Sequence, residues 1–365
     1  MANPKFINDE VIPGMAKQGE GIKIHVDAEY APLKAAVVGN ASSVVVPNPN
    51  TWEMQLTFQH ASDSIREMTA KYAGQDLKEV NPELYEKARQ NSDDLANALR
   101  DNGVKVVRFE GEELPESLVH YNYSWSKQKQ MSFLGHSGGD VVGNCLINVW
   151  DATGAHISEL TVRDALNEIM QNDPNAVWMS IPAAWPTVDR LRPGPYLCAD
   201  FLVFEKIVYV GVGVDNRAAI DDPSVPRSAN DEYGTEILRR MLKPHGWEVK
   251  PVYFDTNFGY HLDVMVKPID RGLIALPEGA LWHGLPEEIK DWEMIYITAE
   301  EQAMGAANAL PIGNKKVILQ QGCPKFAKEL ERRGYELIEI DYSTIWNMTG
   351  SGIHCSVMHL WREFD

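Results

Sequence analysis

Cysteine is scarce in this chain of 365 residues, which contains only Cys145, Cys198, Cys323 and Cys355. No two of them have C-x-x-C spacing, so the sequence offers no zinc-ribbon motif. Four cysteines are also too few to form the disulfide scaffold of a chain of this length. We therefore expect reduced thiols and a cytoplasmic protein.

Long hydrophobic runs and targeting patterns are absent as well. No apolar stretch reaches the roughly 18 residues that a membrane-spanning helix needs. The longest candidate, residues 201–214, is interrupted by Glu205 and Lys206. Because no apolar segment follows a basic one at the N-terminus, we expect no signal peptide and no membrane association.

Positive charge is in short supply, with 34 Lys and Arg against 52 Asp and Glu and a formal net charge of −18. Binding to nucleic acid needs a basic face that neutralises phosphates, so the charge argues against nucleic acid as a main partner. The acidity is compatible with a small cationic substrate, although solubility is the commoner reason for such a charge.

Nucleotide-binding signatures are also missing, since no G-x-G-x-x-G joins a strand to a helix and no P-loop occurs. What the chain does contain is a helix–glycine–strand pattern that occurs three times, at Gly103, Gly246 and Gly334. The tetrapeptide Val-Val-Gly-Asn also ends apolar strands at both 37–40 and 141–144. These repeats indicate an α/β fold built from a strand–helix–strand unit of unequal length. No linker marks a domain boundary.

His261 and Asp263 stand two residues apart in the segment Tyr260–Val266, which is followed by an Asp-Arg-Gly turn at 270–272. This pattern predicts a β-hairpin, in which residues i and i+2 share a face. A carboxylate beside an imidazole orients it and favours its protonated form, as general acid/base catalysis requires. The alternative is a structural histidine on a half-buried strand.

The C-terminal segment 349–361 contains a Gly-Ser-Gly turn followed by His354, Cys355 and an apolar strand. Glycines allow a backbone to approach a ligand closely. A cysteine beside an imidazolium can be held as a thiolate and act as a nucleophile. The alternative is an inert buried thiol, which is the usual state of a free cysteine.

Two further segments place an aspartate at the start of an apolar strand. Asp200 precedes the predicted hairpin of residues 201–211, and Asp140 follows a glycine-rich loop at 135–139. An aspartate at such a position is often only a turn residue. The glycine-rich loop precedes no helix, which disfavours phosphate binding.

In their order along the chain, these motifs resemble the amidinotransferases of the guanidino-group-modifying pentein superfamily. Relatives there include glycine amidinotransferase and inosamine-phosphate amidinotransferase, and more distantly arginine deiminase and agmatine deiminase. The resemblance spans roughly residues 24–362 and is most specific at His261-x-Asp263 and Gly352-Ile-His354-Cys355. It implies the pentein fold, a five-bladed α/β propeller with pseudo-fivefold repeats. That fold would form a single domain over residues 24–365, after an N-terminal extension of residues 1–23.

The resemblance also implies an activity, the transfer of an amidino group from an arginine-like guanidino donor to an amine acceptor. Cys355 would attack the central carbon of the guanidinium and carry the amidino group covalently. His261 would protonate the leaving amine and then deprotonate the incoming one, while Asp263 would hold the guanidinium or orient His261. No cofactor or metal is needed for covalent catalysis with proton transfer. We expect Asp200, Asp140 and His354 to bind the substrate. A guanidinium in a closed pocket needs carboxylate partners, which the two aspartates would supply.

The sequence departs from the family pattern at positions that bind substrate. In a gapless match, Leu197 and Ser137 stand where the family has acidic residues, and Asp140 reaches its place only with a gap. Residues 277–282 lack the arginine that binds the donor's carboxylate in the family transferases. These departures leave the identities of donor and acceptor open.

Three other functions stay open. A deiminase or dihydrolase of the same superfamily would use water as the acceptor. A non-catalytic pentein would serve as a binding or scaffold protein. A metal-dependent oxygenase would use His261 and Asp263 with His354 or His359 as a facial triad, although such sites usually lie in all-β folds. In the leading interpretation the partners are small molecules, and a homo-oligomer is compatible with the sequence.

Overall fold

In the part of the chain that the computed structural model describes, the strands form five sheets. That part comprises residues 19–39, 44–46, 48–50, 63–108, 139–148, 157–181, 197, 201–225 and 227–364, with only the backbone described at residue 64 and at 157–164. The strands are β1 His25–Val26, β2 Leu33–Val38, β3 Lys105–Arg108, β4 Asp140–Val142, β5 Cys145–Asn148, β6 Val177–Ser180, β7 Phe201–Phe204, β8 Ile207–Val214, β9 Ser228–Ala229, β10 Glu248–Asp255, β11 Lys267–Asp270, β12 Leu273–Pro277, β13 Glu293–Ile297, β14 Leu310–Gly313, β15 Lys316–Gln320, β16 Glu336–Ile340 and β17 Val357–Arg362.

One three-stranded pattern recurs in all five of these sheets. Two strands pair antiparallel, and a crossover then brings the chain back to a third strand parallel to the second. The units are β4-β5-β6, β7-β8-β10, β11-β12-β13, β14-β15-β16 and β17-β2-β3. In the last unit the antiparallel pair joins strands from opposite ends of the sequence, and β1 adds to its edge. The predicted repeat of unequal strand–helix–strand units is seen in four of the five, while the fully described crossover from β12 to β13 contains only a 3-10 helix, Glu287–Ile289.

Helices lie in most of the crossovers and between the units. Their bounds are α1 Asp63–Tyr72, α2 Leu77–Val80, α3 Pro82–Asp101, α4 Ile157–Asn172, α5 Glu232–Leu242, α6 Ala299–Ala303, α7 Pro324–Glu331 and α8 Ser343–Thr349. No helix in these described segments is both long enough and apolar enough to cross a membrane.

Helix α3 shows how the sequence sets these elements. The Asn81 side chain accepts a hydrogen bond from the backbone N–H of Leu84, and Pro82 occupies the first turn, so the helix begins where the sequence predicts. Its buried face includes Leu95 and Leu99, which are fully enclosed against β2 and β16. Burial of each leucine contributes roughly 2 kcal/mol to the free energy of folding.

Left-handed glycines follow the last helices of three crossovers, those that lead to β3, β10 and β16. Gly103, Gly246 and Gly334 have φ values of 81°, 79° and 80°. A side chain would strain this conformation, so glycine allows the chain to leave the helix and enter the next strand. The helix–glycine–strand pattern in the sequence therefore reports a real turn geometry in all three places.

The prediction that His261 and Asp263 lie on a strand is wrong. Residues 256–265 form turns and bends, and the strand begins only at Lys267. The backbone N–H groups of Met265 and Val266 both donate to the carbonyl of Leu262, at 3.1 and 2.8 Å. Residues 262–266 are all buried, so the alternation of exposed and buried side chains typical of a half-buried strand is absent. The hairpin turn at 270–272 was predicted correctly.

Candidate active site

Four segments of the chain meet around the Cys355 thiol, and each lies next to the start of a strand. Cys355 precedes β17, Asp263 precedes β11, and Asn308 precedes β14. Glu29 lies in the turn between β1 and β2. The repeated sheet unit therefore brings together side chains that are far apart in the sequence.

Cys355 lies in a turn rather than in the apolar strand itself. Helix α8 ends at Gly350, whose φ is 65°, and the chain then turns through residues 353–356. The N–H of Val357 donates to the carbonyl of His354 at 3.0 Å, and β17 begins at that point. Cys355 is 6% exposed, and it packs against Val264 and Trp346.

The Asp263 carboxylate is the nearest charged partner of the thiol. Its Oδ2 accepts a hydrogen bond from Cys355 Sγ at 3.1 Å and another from His354 Nδ1 at 2.9 Å. Asp263 is 1% exposed, so water does not screen these contacts. Burial, together with the charge and hydrogen bond of Asp263, raises the pKa of Cys355 well above that of an ordinary thiol.

His354 joins two carboxylates through its two ring nitrogens. Nδ1 lies 2.9 Å from Asp263 Oδ2, and Nε2 lies 2.9 Å from Glu29 Oε2. An ionised carboxylate only accepts hydrogen bonds, so both nitrogens donate, as they do in an imidazolium. Burial would raise the pKa of Glu29, but the hydrogen bond and charge of His354, aided by Arg362 and Lys267, lower it to about 2.

Next to His354 and Glu29, His359 and Arg362 on β17 complete the buried network. His359 Nδ1 lies 3.6 Å from Glu29 Oε2, and the Arg362 guanidinium donates to His359 Nε2 at 3.2 Å. Arg362 also donates to the carbonyls of Ala31 and Pro311, at 2.7 and 2.9 Å. The guanidinium thus connects the site to the segment between β1 and β2 and to strand β14.

Among the described residues, Glu29, His354 and His359 form a group whose ligand atoms are close enough to share a metal ion. Their hydrogen bonds argue against this use. Both nitrogens of His354 point at carboxylates, and Arg362 donates to His359 from a fixed position. A buried guanidinium next to the group also disfavours a second cation. We interpret the three residues as a hydrogen-bond network.

Asn308 is a site residue that the sequence analysis missed. Its Nδ2 donates to Cys355 Sγ at 3.1 Å and to the Asp263 carbonyl at 3.3 Å, while its Oδ1 accepts from the Cys355 backbone N–H at 3.2 Å. A side chain at Gly352 would place a Cβ only 2.8 Å from Asn308 Oδ1. The glycine therefore permits a close approach, as expected, but the approaching group is the asparagine of another repeat.

The other predicted site residues have different positions. His261 is half-buried, and its ring packs on that of Tyr260 with the centroids 4.3 Å apart. Asp140 is a buried residue at the first position of β4, opposite Ile147. Asp200 lies outside the described residues. Leu197 is 3% exposed within an apolar core cluster, so it offers no partner for a cation. The roles predicted for His261, Asp140, Asp200 and His354 stay predictions.

Solved structures with similar folds are amidinotransferases and related enzymes. SxtG, an amidinotransferase of the saxitoxin pathway from Microseira wollei, matches 94% of this chain and 98% of its own, with a TM-score of 0.70 and 17% identity. Inosamine-phosphate amidinotransferase StrB1 from Streptomyces griseus matches the same shares, with a TM-score of 0.69 and 16% identity.

The chain has the amidinotransferase fold. A further solved structure has a less similar fold. DDAH from Pseudomonas aeruginosa matches 90% of this chain and 99% of its own, with a TM-score of 0.56 and 16% identity. The mixed α/β architecture predicted from the sequence is therefore confirmed.

Sequence comparison adds one partial relative. The uncharacterised protein YkgA of Bacillus subtilis strain 168 is 28% identical over 164 residues, which are 45% of this chain. This chain therefore matches about half of YkgA, 51% of its length. No protein-family model matches the chain.

Proposed function

We propose that the protein is an amidinotransferase that carries an amidino group on Cys355 between a guanidino donor and an amine acceptor. The observation that carries the proposal is a thiol held 3.1 Å from a buried carboxylate, at a turn preceding the last strand of the amidinotransferase fold. Arginine is the donor that we expect first, because the resemblance to the family implies it.

The proposed reaction begins when a guanidinium lies across Cys355 and Asp263. The bound cation offsets the charge of the carboxylate, which favours loss of the thiol proton. The thiolate attacks the central carbon, and its sulfur–carbon bond forms as the bond to the leaving amine breaks. His261 donates a proton to that amine and then accepts one from the incoming amine, whose attack releases the thiolate.

The repeated units support the proposed positions of the substrate-binding aspartates. Asp263, Asn308 and Cys355 lie just before the first strand of their units. Asp140 begins the first strand of its unit, and Asp200 is the residue that precedes β7. The starts of the first strands of the units would converge on one central site in a pseudo-symmetric fold. We accordingly propose the five-bladed propeller, in a single domain over residues 24–365.

The expected setting follows from the same interpretation. We propose a cytoplasmic enzyme of small-molecule substrates, with no role for nucleic acid or membrane. His354 would serve to hold Asp263 and Glu29 in place, since both of its ring nitrogens are already engaged.

The test is intact mass spectrometry of the protein incubated with arginine and with a small panel of guanidines. A covalent gain of one amidino group, lost in Cys355→Ala, is the expected result. If the adduct persists until an amine is added, the enzyme is a transferase. If it decays in water and releases urea, the enzyme is a hydrolase; a heavier adduct that keeps the donor's side chain and decays to a ureido product would likewise indicate a hydrolase. Absence of any adduct or product with the whole panel would refute both.

A further inference from the structure

Lys267 is a buried lysine that the proposed reaction does not use. It is the first residue of β11, opposite Ala275, and it is 0% exposed. Its Nζ makes no hydrogen bond to any atom of the described residues. An enclosed ammonium without hydrogen bonds is costly, so a fold gains nothing from one unless its charge is needed.

The charged groups that act on Lys267 come from three other parts of the chain as well as its own. Asp263 lies in the turns before β11, Glu29 between β1 and β2, Cys355 in the turn before β17, and Arg362 on β17 itself. The first three attract the ammonium and Arg362 repels it. Lys267 therefore belongs to the buried network that holds the thiol.

A charge count of this network shows what the lysine supplies. Glu29 and Asp263 are negative, while Arg362 and the doubly donating His354 are positive. His359 accepts from Arg362 through Nε2, which makes it neutral. Without Lys267 these four charges balance while Cys355 is a neutral thiol. When the thiol ionises, one positive charge more is needed in a site that water does not screen.

We propose that Lys267 is the buried counter-charge of the Cys355 thiolate and acts as a positioning residue through its electric field. The proposal rests on the proposed role of Cys355 as the nucleophile. With Lys267 charged, Glu29, Asp263 and the thiolate balance His354, Arg362 and Lys267. Burial lowers the pKa of Lys267, whereas the charges of Asp263, Glu29 and Cys355 oppose that lowering. Because the ammonium and the thiolate attract each other, each favours the charged form of the other.

A merely structural role makes a different prediction for substitutions. Methionine is also unbranched at Cβ, fills a similar space and carries no hydrogen-bond donor that would be buried without a partner. If only volume matters, Lys267→Met leaves the chemistry of Cys355 unchanged. If the charge matters, Lys267→Arg keeps the thiolate accessible and Lys267→Met does not.

The experiment is the rate of Cys355 alkylation by iodoacetamide as a function of pH, followed by peptide mapping. Iodoacetamide is neutral, so the variants change the thiol and not the attraction of the reagent. Lys267→Met should move the alkylation midpoint to higher pH by about one unit or more, which is roughly tenfold slower labelling at a fixed pH below the midpoint. Lys267→Arg should stay near the wild-type profile.

Lys316 provides the matched control, because it is also the first residue of a strand, β15. Its Nζ lies 3.2 Å from Glu336 Oε1. Lys316→Met should keep the wild-type profile. Lys267→Gln serves as a second uncharged variant if Lys267→Met does not fold. An unchanged midpoint in either folded, uncharged variant would overturn the proposal. No guanidine is used, so a failure of the amidinotransferase proposal would show separately, in the adduct experiment.

Discussion

Replacing Asn308 by Asp removes one hydrogen bond to the nucleophile while leaving another in place. The Asn308 Oδ1 atom that accepts from the Cys355 backbone N–H is retained in aspartate. The Nδ2 donor that lies 3.1 Å from Sγ becomes an oxygen. The turn that carries Cys355 therefore keeps its backbone contact, and the change falls on the two groups that Nδ2 contacts, the Cys355 sulfur and the Asp263 carbonyl at 3.3 Å.

The size of the effect on the pKa of Cys355 follows from the loss of the hydrogen bond between Asn308 Nδ2 and Sγ. A hydrogen bond to a charged group contributes about 1.5–3 kcal/mol, and each pKa unit corresponds to about 1.4 kcal/mol. Loss of the bond alone should raise the pKa of Cys355 by about one to two units, and the new carboxylate would raise it further. Below the midpoint, alkylation of Cys355 should slow by roughly 10- to 100-fold.

The assay is again the pH dependence of iodoacetamide labelling at Cys355, with thermal unfolding as the check on folding. Asn314→Asp is the control, since Asn314 is an exposed residue of the β14–β15 turn. An Asn308→Asp protein that folds and labels like the wild type at every pH would refute the view that this amide stabilises the thiolate.

Three further outcomes are expected. Cys355→Ala should abolish turnover with little change in thermal midpoint. Burial raises the pKa of Cys145 to about 11 and that of Cys323 to about 12, so neither should react. Labelling of Cys145 or Cys323 by an active-site reagent would contradict the assignment. His261→Asn should lower kcat about 10²- to 10⁴-fold, the usual size of acid/base catalysis, and full activity would exclude that role. The pKa of Glu29 is depressed from 4.5 to about 2, so its ionised carboxylate contributes about 3 kcal/mol to the free energy of unfolding; this contribution is complete above pH 4.5 and is lost as pH falls through about 2. In urea unfolding, Glu29→Gln should lack this loss at low pH. A pH dependence like that of the wild type would show that the carboxylate is not responsible.

The sequence by itself determined the elements that depend on local rules. Asn81 and Pro82 set the start of α3, and left-handed glycines such as Gly103 set the passage from helix to strand. These signals act over a few residues, so periodicity and turn chemistry are enough to find them. The motif around Cys355 was visible for the same reason, because its glycines and histidine are its neighbours in the chain.

Only the tertiary structure decided which side chains meet the thiol. His354 bonds to Glu29 across 325 positions, and Asn308 reaches Cys355 across 47. Tertiary contacts also replaced the strand predicted for residues 260–266 by a turn, because that turn aims Asp263 at Cys355 and buries its apolar neighbours. An asparagine or lysine carries no sign of its partner in the linear sequence. The network around Cys355 exists only because the repeated sheets bring the starts of their strands together.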